Sequence, residues 1–302
     1  MYEQSLVLYK VRPDDDVVTD QLERTGTTVA VVLAVVLWAS AFVAIRAIGD
    51  SLSPAPLALL RLATAAAVLT VLARRKPRVS RTAFLLISAY AVLWLAGYTV
   101  ALNAGERHVD AGTAALLVNL APLIVAFAAG RFLGEGFPKP LIVGALVALG
   151  GTAIIAAGAT AQRDVEGVLL CLLAAVLYAA GVVIQKRTLQ HVDGLTAIWL
   201  GCVVATVVLL PWLPQLLTEL RTAPAGAITG GVYLGVFPTA VGFTAWAYAL
   251  RRMDAGRLTT TTYAVPAVSV VLSWLLLAEI PTVYGLLGGA VCLAGVAVSR
   301  RR

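Results

Sequence analysis

Ten stretches of the chain, each near twenty residues and almost free of charge, follow one another with only short polar joints. They span residues 28–48, 54–73, 82–103, 111–133, 140–159, 167–185, 194–213, 223–250, 258–278 and 281–299. A helix of about 20 apolar residues crosses the ~30 Å hydrocarbon core of a bilayer. It also satisfies its own backbone hydrogen bonds, which lipid demands. The runs are too long for buried strands, and none shows the ten-residue alternation of a membrane barrel. The fold class that follows is an all-α membrane protein with ten transmembrane helices. Pro138, Pro140 and Pro281 mark tight turns at the boundaries between the fourth and fifth runs and between the ninth and tenth. Residues 1–27 are polar, carry Asp14-Asp15-Asp16, and read as a solvated tail.

Composition enters as exclusion. The chain is 60% hydrophobic and 13% charged, against about 25% charged in soluble domains, so a soluble enzyme and a disordered chain are both excluded. Cys171, Cys202 and Cys292 lie inside apolar runs without metal-ligand spacing, so the expectation is buried small hydrophobes, no metal and no cofactor.

The net charge of +7 takes its meaning from where the cations fall. Let the N-terminus face the cytoplasm. The inner segments then hold Lys10, Arg12 and Arg24; Arg74, Arg75, Lys76, Arg78 and Arg81; Arg131 and Lys139; Lys186 and Arg187; Arg251, Arg252 and Arg257; and Arg300 to Arg302. That is 18 of the 23 cations, with only Arg107, Arg163 and Arg221 outside, and Arg46 and Arg61 within spans. Such a bias is the positive-inside pattern. It predicts that both termini face the cytoplasm. It also argues against nucleic acid, because the charge is spread over alternate joints and gathers on no one surface.

The chain repeats itself. Asp110-Ala111-Gly112 recurs as Asp254-Ala255-Gly256, 144 residues on, and the same offset carries Pro122 to Pro266, Glu135 to Glu279, Gly144 to Gly288 and Gly151 to Gly295. Upstream, Leu37-Trp38-Ala39 meets Leu177-Tyr178-Ala179 at an offset of 140. Two five-span halves follow, residues 28–159 and 165–299. Because five is odd, the second half is inverted in the membrane. Inverted repeats are characteristic of secondary transporters, where exchange of conformation between halves exposes one site alternately to each side.

The Trp38-Ala39-Ser40-Ala41-Phe42 stretch resembles the W-G/A-x-x-F signature of the EamA family, within the drug/metabolite transporter superfamily. The doubled pairs Pro122…Glu135 and Pro266…Glu279 are similar to that family's pattern too, over about residues 28–299. The resemblance implies a ten-helix inner-membrane carrier with a central cavity between the halves and spans 5 and 10 at the periphery. It also implies a cargo of amino acids, metabolites or small organic compounds, often moved outward.

Candidate residues follow from chemistry at membrane depth. Pro122 and Pro266 each free a carbonyl four residues earlier, and paired helix breaks point to a transport site or to packing kinks. Asn119 and Tyr263, three residues before each proline, share its face and are candidate lining residues. Trp38, Tyr98, Tyr178 and Trp246 offer apolar walls with polar tips, suited to amphipathic solutes or to core packing. Arg61 lies seven residues past Pro54, roughly 10 Å into its helix. It holds a substrate carboxylate, snorkels outward, or pairs with Asp50 or Asp110. Glu135 and Glu279 precede prolines and read as caps of the helices that follow them.

No Asp or Glu lies mid-span, which favours facilitated diffusion or exchange over proton-driven antiport. An intramembrane enzyme would need a nucleophile with a base at membrane depth, but His108 and His191 both sit in joints. A non-transporting scaffold gains nothing from pseudo-symmetry across the bilayer. The expected partners are a small-molecule substrate and the lipid bilayer. A homodimer through the glycines of spans 5 and 10 is the alternative to their packing within one chain.

Overall fold

The computed structural model describes residues 13–48, 51–73, 79–105, 107–108, 117–157, 165–277, 282–299 and 301. Among them every regular element is helical. The helices are α1 (Pro13–Ile48), α2 (Pro54–Leu72), α3 (Arg81–Tyr90), α4 (Thr99–Gly105), α5 (Ala121–Phe132), α6 (Lys139–Ala157) and α7 (Val165–Thr188). They continue as α8 (Gly194–Leu209), α9 (Leu213–Thr222), α10 (Ala225–Leu234), α11 (Gly242–Arg252), α12 (Ala255–Thr260), α13 (Ala264–Leu277) and α14 (Val283–Ser299). Among the described residues seven segments are long and apolar enough to cross a membrane, and α5, α6 and α14 contribute three shorter apolar helices.

Local sequence sets the starts. Pro54 opens α2, where its missing N–H costs nothing. Ser80 caps α3 by accepting the Ala83 N–H. Asp193 caps α8 by accepting the Thr196 N–H at 2.9 Å and the Thr196 hydroxyl at 2.7 Å. The first helix begins at Pro13, within the stretch read as a solvated tail. Proline at a first turn and Asp14 to Asp16 beside a helix N-terminus both favour helix there.

Two long segments change pitch midway. Between α3 and α4, Ala91–Tyr98 winds as a wide π-helical stretch, and between α10 and α11, Gly235–Val241 does the same. The second begins 144 residues after the first, the repeat offset of the sequence. Ahead of α5 and α13 the helix tightens or breaks: residues 119–120 form a turn, and Thr261–Tyr263 a 3₁₀ turn. The breaks therefore lie just before Pro122 and Pro266, each of which sits in the first turns of the helix that resumes.

Helices of one half pack on those of the other. α1 lies against α11 and α13, while α7 lies against α3, α4, α5 and the 91–98 stretch. α2 faces α8, and α6 faces α14. The α6–α14 contact is a close backbone approach. A Cβ at Gly151 would stand 2.5 Å from the Cys292 nitrogen and 2.6 Å from the Gly288 carbonyl. Glycines of these two segments thus serve packing within the chain. Trp94, Trp246, Tyr90, Leu59 and Leu62 are fully buried between the halves. Outside, large side chains such as Leu275, Leu276, Phe127 and Val71 stand exposed. A soluble surface avoids such a belt, whereas lipid accepts it.

Candidate functional site: a cavity between the halves

A cavity of about 100 Å³ opens where α1, α2, α4, α7, α11 and α13 converge. One wall is α1, which presents Trp38, Ala41, Phe42 and Ile45 at helical spacing. Arg61 enters from α2. Tyr98, Thr99 and Asn103 come from the second half of the 81–105 segment. Val118 and Asn119 meet Thr262, Val265 and Pro266 across the centre. These last two groups lie at the two helix breaks. Each break gives up regular hydrogen bonding, and a cavity is where a membrane protein tolerates that.

The cavity floor is aromatic. Trp38 packs on Phe243 at 5.1 Å and on Trp246 at 4.8 Å between ring centroids. Trp94 stacks on Tyr178 at 5.2 Å and meets Phe243 edge-on at 5.1 Å. Each such pair adds about 0.5–1.5 kcal/mol beyond simple burial, so five rings make a stiff partition. Trp38 is fixed further by donating its indole N–H to the Pro238 carbonyl at 3.2 Å.

Pro238 explains the geometry on the opposite wall. It has no N–H for the Leu234 carbonyl four residues back, and the Thr239 hydroxyl donates to that carbonyl at 2.7 Å. The same hydroxyl accepts from Arg61 Nε at 2.5 Å. The approach is close because Gly235 has no side chain: a Cβ there would stand 2.6 Å from the Arg61 carbonyl.

Below the floor, polar contacts join the chain at the ends of α5, α7 and α11. Glu135 accepts the N–H groups of Ala255 at 2.8 Å and Gly256 at 3.0 Å. Lys186 donates to the carbonyls of Leu250 at 2.6 Å and Met253 at 2.5 Å. Arg187 reaches the Phe132 carbonyl at 3.2 Å. The cavity extends the other way, from Trp38 towards Ile45 and from Trp94 towards Asn103. The lining thus runs away from these contacts, towards Ile45 and Asn103.

Of the residues expected at the site, Trp38, Arg61, Tyr98, Asn119, Tyr178 and Pro266 line the cavity. Trp246 stands behind Trp38, fully buried. Tyr263 turns away and packs on Ala145, Ala148 and Val296. The tight turn at Thr261–Tyr263 advances three residues per turn instead of 3.6, which brings Thr262 to the cavity. Pro122 is buried outside the lining. Glu135 is a cap, but of α12, not of α6 as its place before Pro138 suggested. Gly134 and Gly136, both with positive φ, turn the loop so that its carboxylate points across the molecule. Glu279, Asp50 and Asp110 lie outside the described residues, as does the side chain of Arg46.

Sequence reading missed Trp94, Phe243, Phe42 and Asn103 on the lining, and Thr239 behind it. Trp94 and Phe243 sit in apolar runs that do not mark them as lining, and Phe42 showed only as the end of the Trp38–Phe42 signature. Pro238, a third proline inside a long span, was the legible clue to Thr239.

The family model for EamA-like transporters matches the chain twice, over residues 26–157 and 165–301. The chain belongs to the EamA-like transporter family. It is therefore a membrane transporter and not an enzyme. A "Probable terminal-alkyne amino-acid exporter" of Streptantibioticus cattleyicolor is 38% identical over 90% of this chain and 93% of its own. "Uncharacterized transporter YdfC" of Bacillus subtilis is 34% identical, with 87% of each chain covered. A solved crystal structure superposes with a TM-score of 0.74 over 91% of this chain and 96% of its own, at 20% identity, so the two share a fold.

Proposed function

We propose that this EamA-like transporter is a ten-helix secondary carrier built of two inverted five-helix repeats. It moves small organic solutes out of the cell by alternating access at the central cavity. The observation that carries the reading is the cavity itself. It lies between the halves, its two helix breaks are 144 residues apart, and its walls exchange under the repeat: α1 rests on the second half as α7 rests on the first. Swapping the conformations of the halves would close the space beside Ile45 and Asn103 and open its counterpart beside Lys186 and Glu135.

The cation distribution supports an orientation with both termini cytoplasmic in a bacterial plasma membrane. The end joined by Glu135, Lys186 and Arg187 is then the inner end. The relative named as an amino-acid exporter supports amino-acid-like cargo and outward direction. No described lining residue is acidic, which favours facilitated diffusion or exchange over proton coupling.

Purified full-length protein in liposomes tests the reading by counterflow with a labelled panel of amino acids and short organic acids. At least one solute should exchange faster than in empty vesicles, and at the same rate with and without a pH gradient. Absence of flux for the whole panel overturns it.

A further inference from the structure

The geometry points to a carboxylate receptor at Arg61, held in position by Thr239, and so to a short-chain monocarboxylate as the transported solute. The inference rests on the central cavity being the transport site.

Arg61 is the one cation on the described lining, and no described residue there is acidic. Its Nε is engaged by Thr239, whose own proton goes to the Leu234 carbonyl. That hydroxyl therefore works in one sense only, as acceptor for Arg61, and the guanidinium is pinned by its inner nitrogen. Neither terminal nitrogen is bonded to a described residue. A guanidinium with two parallel N–H donors left over is the fork that takes a carboxylate bidentately. An ionised arginine in a membrane interior is costly without an anion, and an incoming carboxylate supplies one.

The rest of the lining sets the body of the solute. Trp38, Trp94, Phe243 and Tyr178 form an apolar wall on the floor beyond Arg61. The space is about 100 Å³. A short aliphatic chain with one anionic head suits such an apolar wall, and a second charge on the tail does not.

The experiment compares matched acids and amides. Quenching of tryptophan fluorescence in the full chain, reconstituted in nanodiscs, reports binding of pentanoate against pentanamide and of L-norvaline against L-norvalinamide. The acid should bind about tenfold tighter or more than its amide, as expected for a charge-assisted pair. Arg61→Gln should abolish that preference, bringing acid and amide to equal affinity. Thr239→Val should reduce it and Thr239→Ser restore it, a pattern that loss of packing alone would not produce. Preference for norvaline over pentanoate would identify amino acids as the source of the carboxylate, and the reverse would identify simple acids. Equal binding of acid and amide, no saturable binding of any acid, or full preference in Arg61→Gln overturns the inference. Acid-selective binding without flux in liposomes would instead overturn the transport reading and leave the receptor standing.

Discussion

The carboxylate of Glu135 accepts the Gly256 N–H at 3.0 Å, and the neighbouring Ala255 N–H at 2.8 Å, across the boundary between the two halves of the chain. It supplies partners for two of the unpaired donors at the start of α12. Hydrogen bonds to a charged group contribute about 1.5–3 kcal/mol each. Glu135→Ala should therefore raise amide exchange across 255–260 by roughly tenfold or more. Hydrogen-exchange mass spectrometry of the reconstituted protein measures it, and unchanged protection would show that the contact holds nothing together.

That contact also shows how far sequence reasoning reaches. Apolar run length fixes helices because lipid leaves no other backbone solution, so the helical segments were legible. The repeat offset fixed which breaks correspond. The target of Glu135 was not legible, since it depends on the turn that Gly134 and Gly136 make in three dimensions. Tyr263 fails for a related reason: the period changes locally from 3.6 to 3, and every face assignment beyond that point rotates. Trp94 gives no sign at all in sequence, because an aromatic residue in an apolar run reads the same on a cavity floor as in a core.

Trp94 and Trp38 should separate packing from hydrogen bonding. Trp94 is 2% exposed and shares rings with Trp38, Tyr178 and Phe243. Trp94→Ala should cost about 3–5 kcal/mol. Trp38→Phe keeps a ring on Phe243 and Trp246 but loses the bond to the Pro238 carbonyl, a loss of about 0.6–2 kcal/mol in a membrane protein. Thermal unfolding in detergent ranks them, and equal shifts would refute the assignment.

The α6–α14 seam makes a sharper contrast. At Gly151 a side chain would strike backbone atoms of α14, the Cys292 nitrogen and the Gly288 carbonyl. Backbone cannot rotate aside, so Gly151→Leu should force the helices apart and lower the yield of folded protein severalfold. Gly150, its neighbour, has nothing within 4 Å of an added Cβ. Gly150→Leu should behave as wild type by size-exclusion chromatography.

Orientation is testable without disturbing the native cysteines, because Cys171, Cys202 and Cys292 are all buried. Single cysteines introduced by Arg81→Cys and Arg221→Cys lie at opposite ends of their segments. In intact cells a membrane-impermeant maleimide should label position 221 and spare position 81. Labelling of 81 instead would reverse the proposed topology.

Asp193 gives a pH dependence whose sign follows from its contacts. Burial pushes the carboxyl upward, but the backbone N–H and hydroxyl of Thr196, with further backbone N–H groups, outweigh it and hold the pKa below the usual carboxylate value. A group whose folded pKa is depressed contributes stability above its unfolded pKa, near 3.9, and loses it as pH falls through the lower folded value. Stability at neutral pH should therefore contain the full cap, worth about 1 kcal/mol against Asp193→Ala. The difference between wild type and Asp193→Ala should shrink below about pH 4, where the carboxylate is increasingly protonated. Thermal unfolding in detergent between pH 3 and 7 checks this. A wild-type advantage that persists or grows towards pH 3 would mean that the Asp193 charge is not what caps α8.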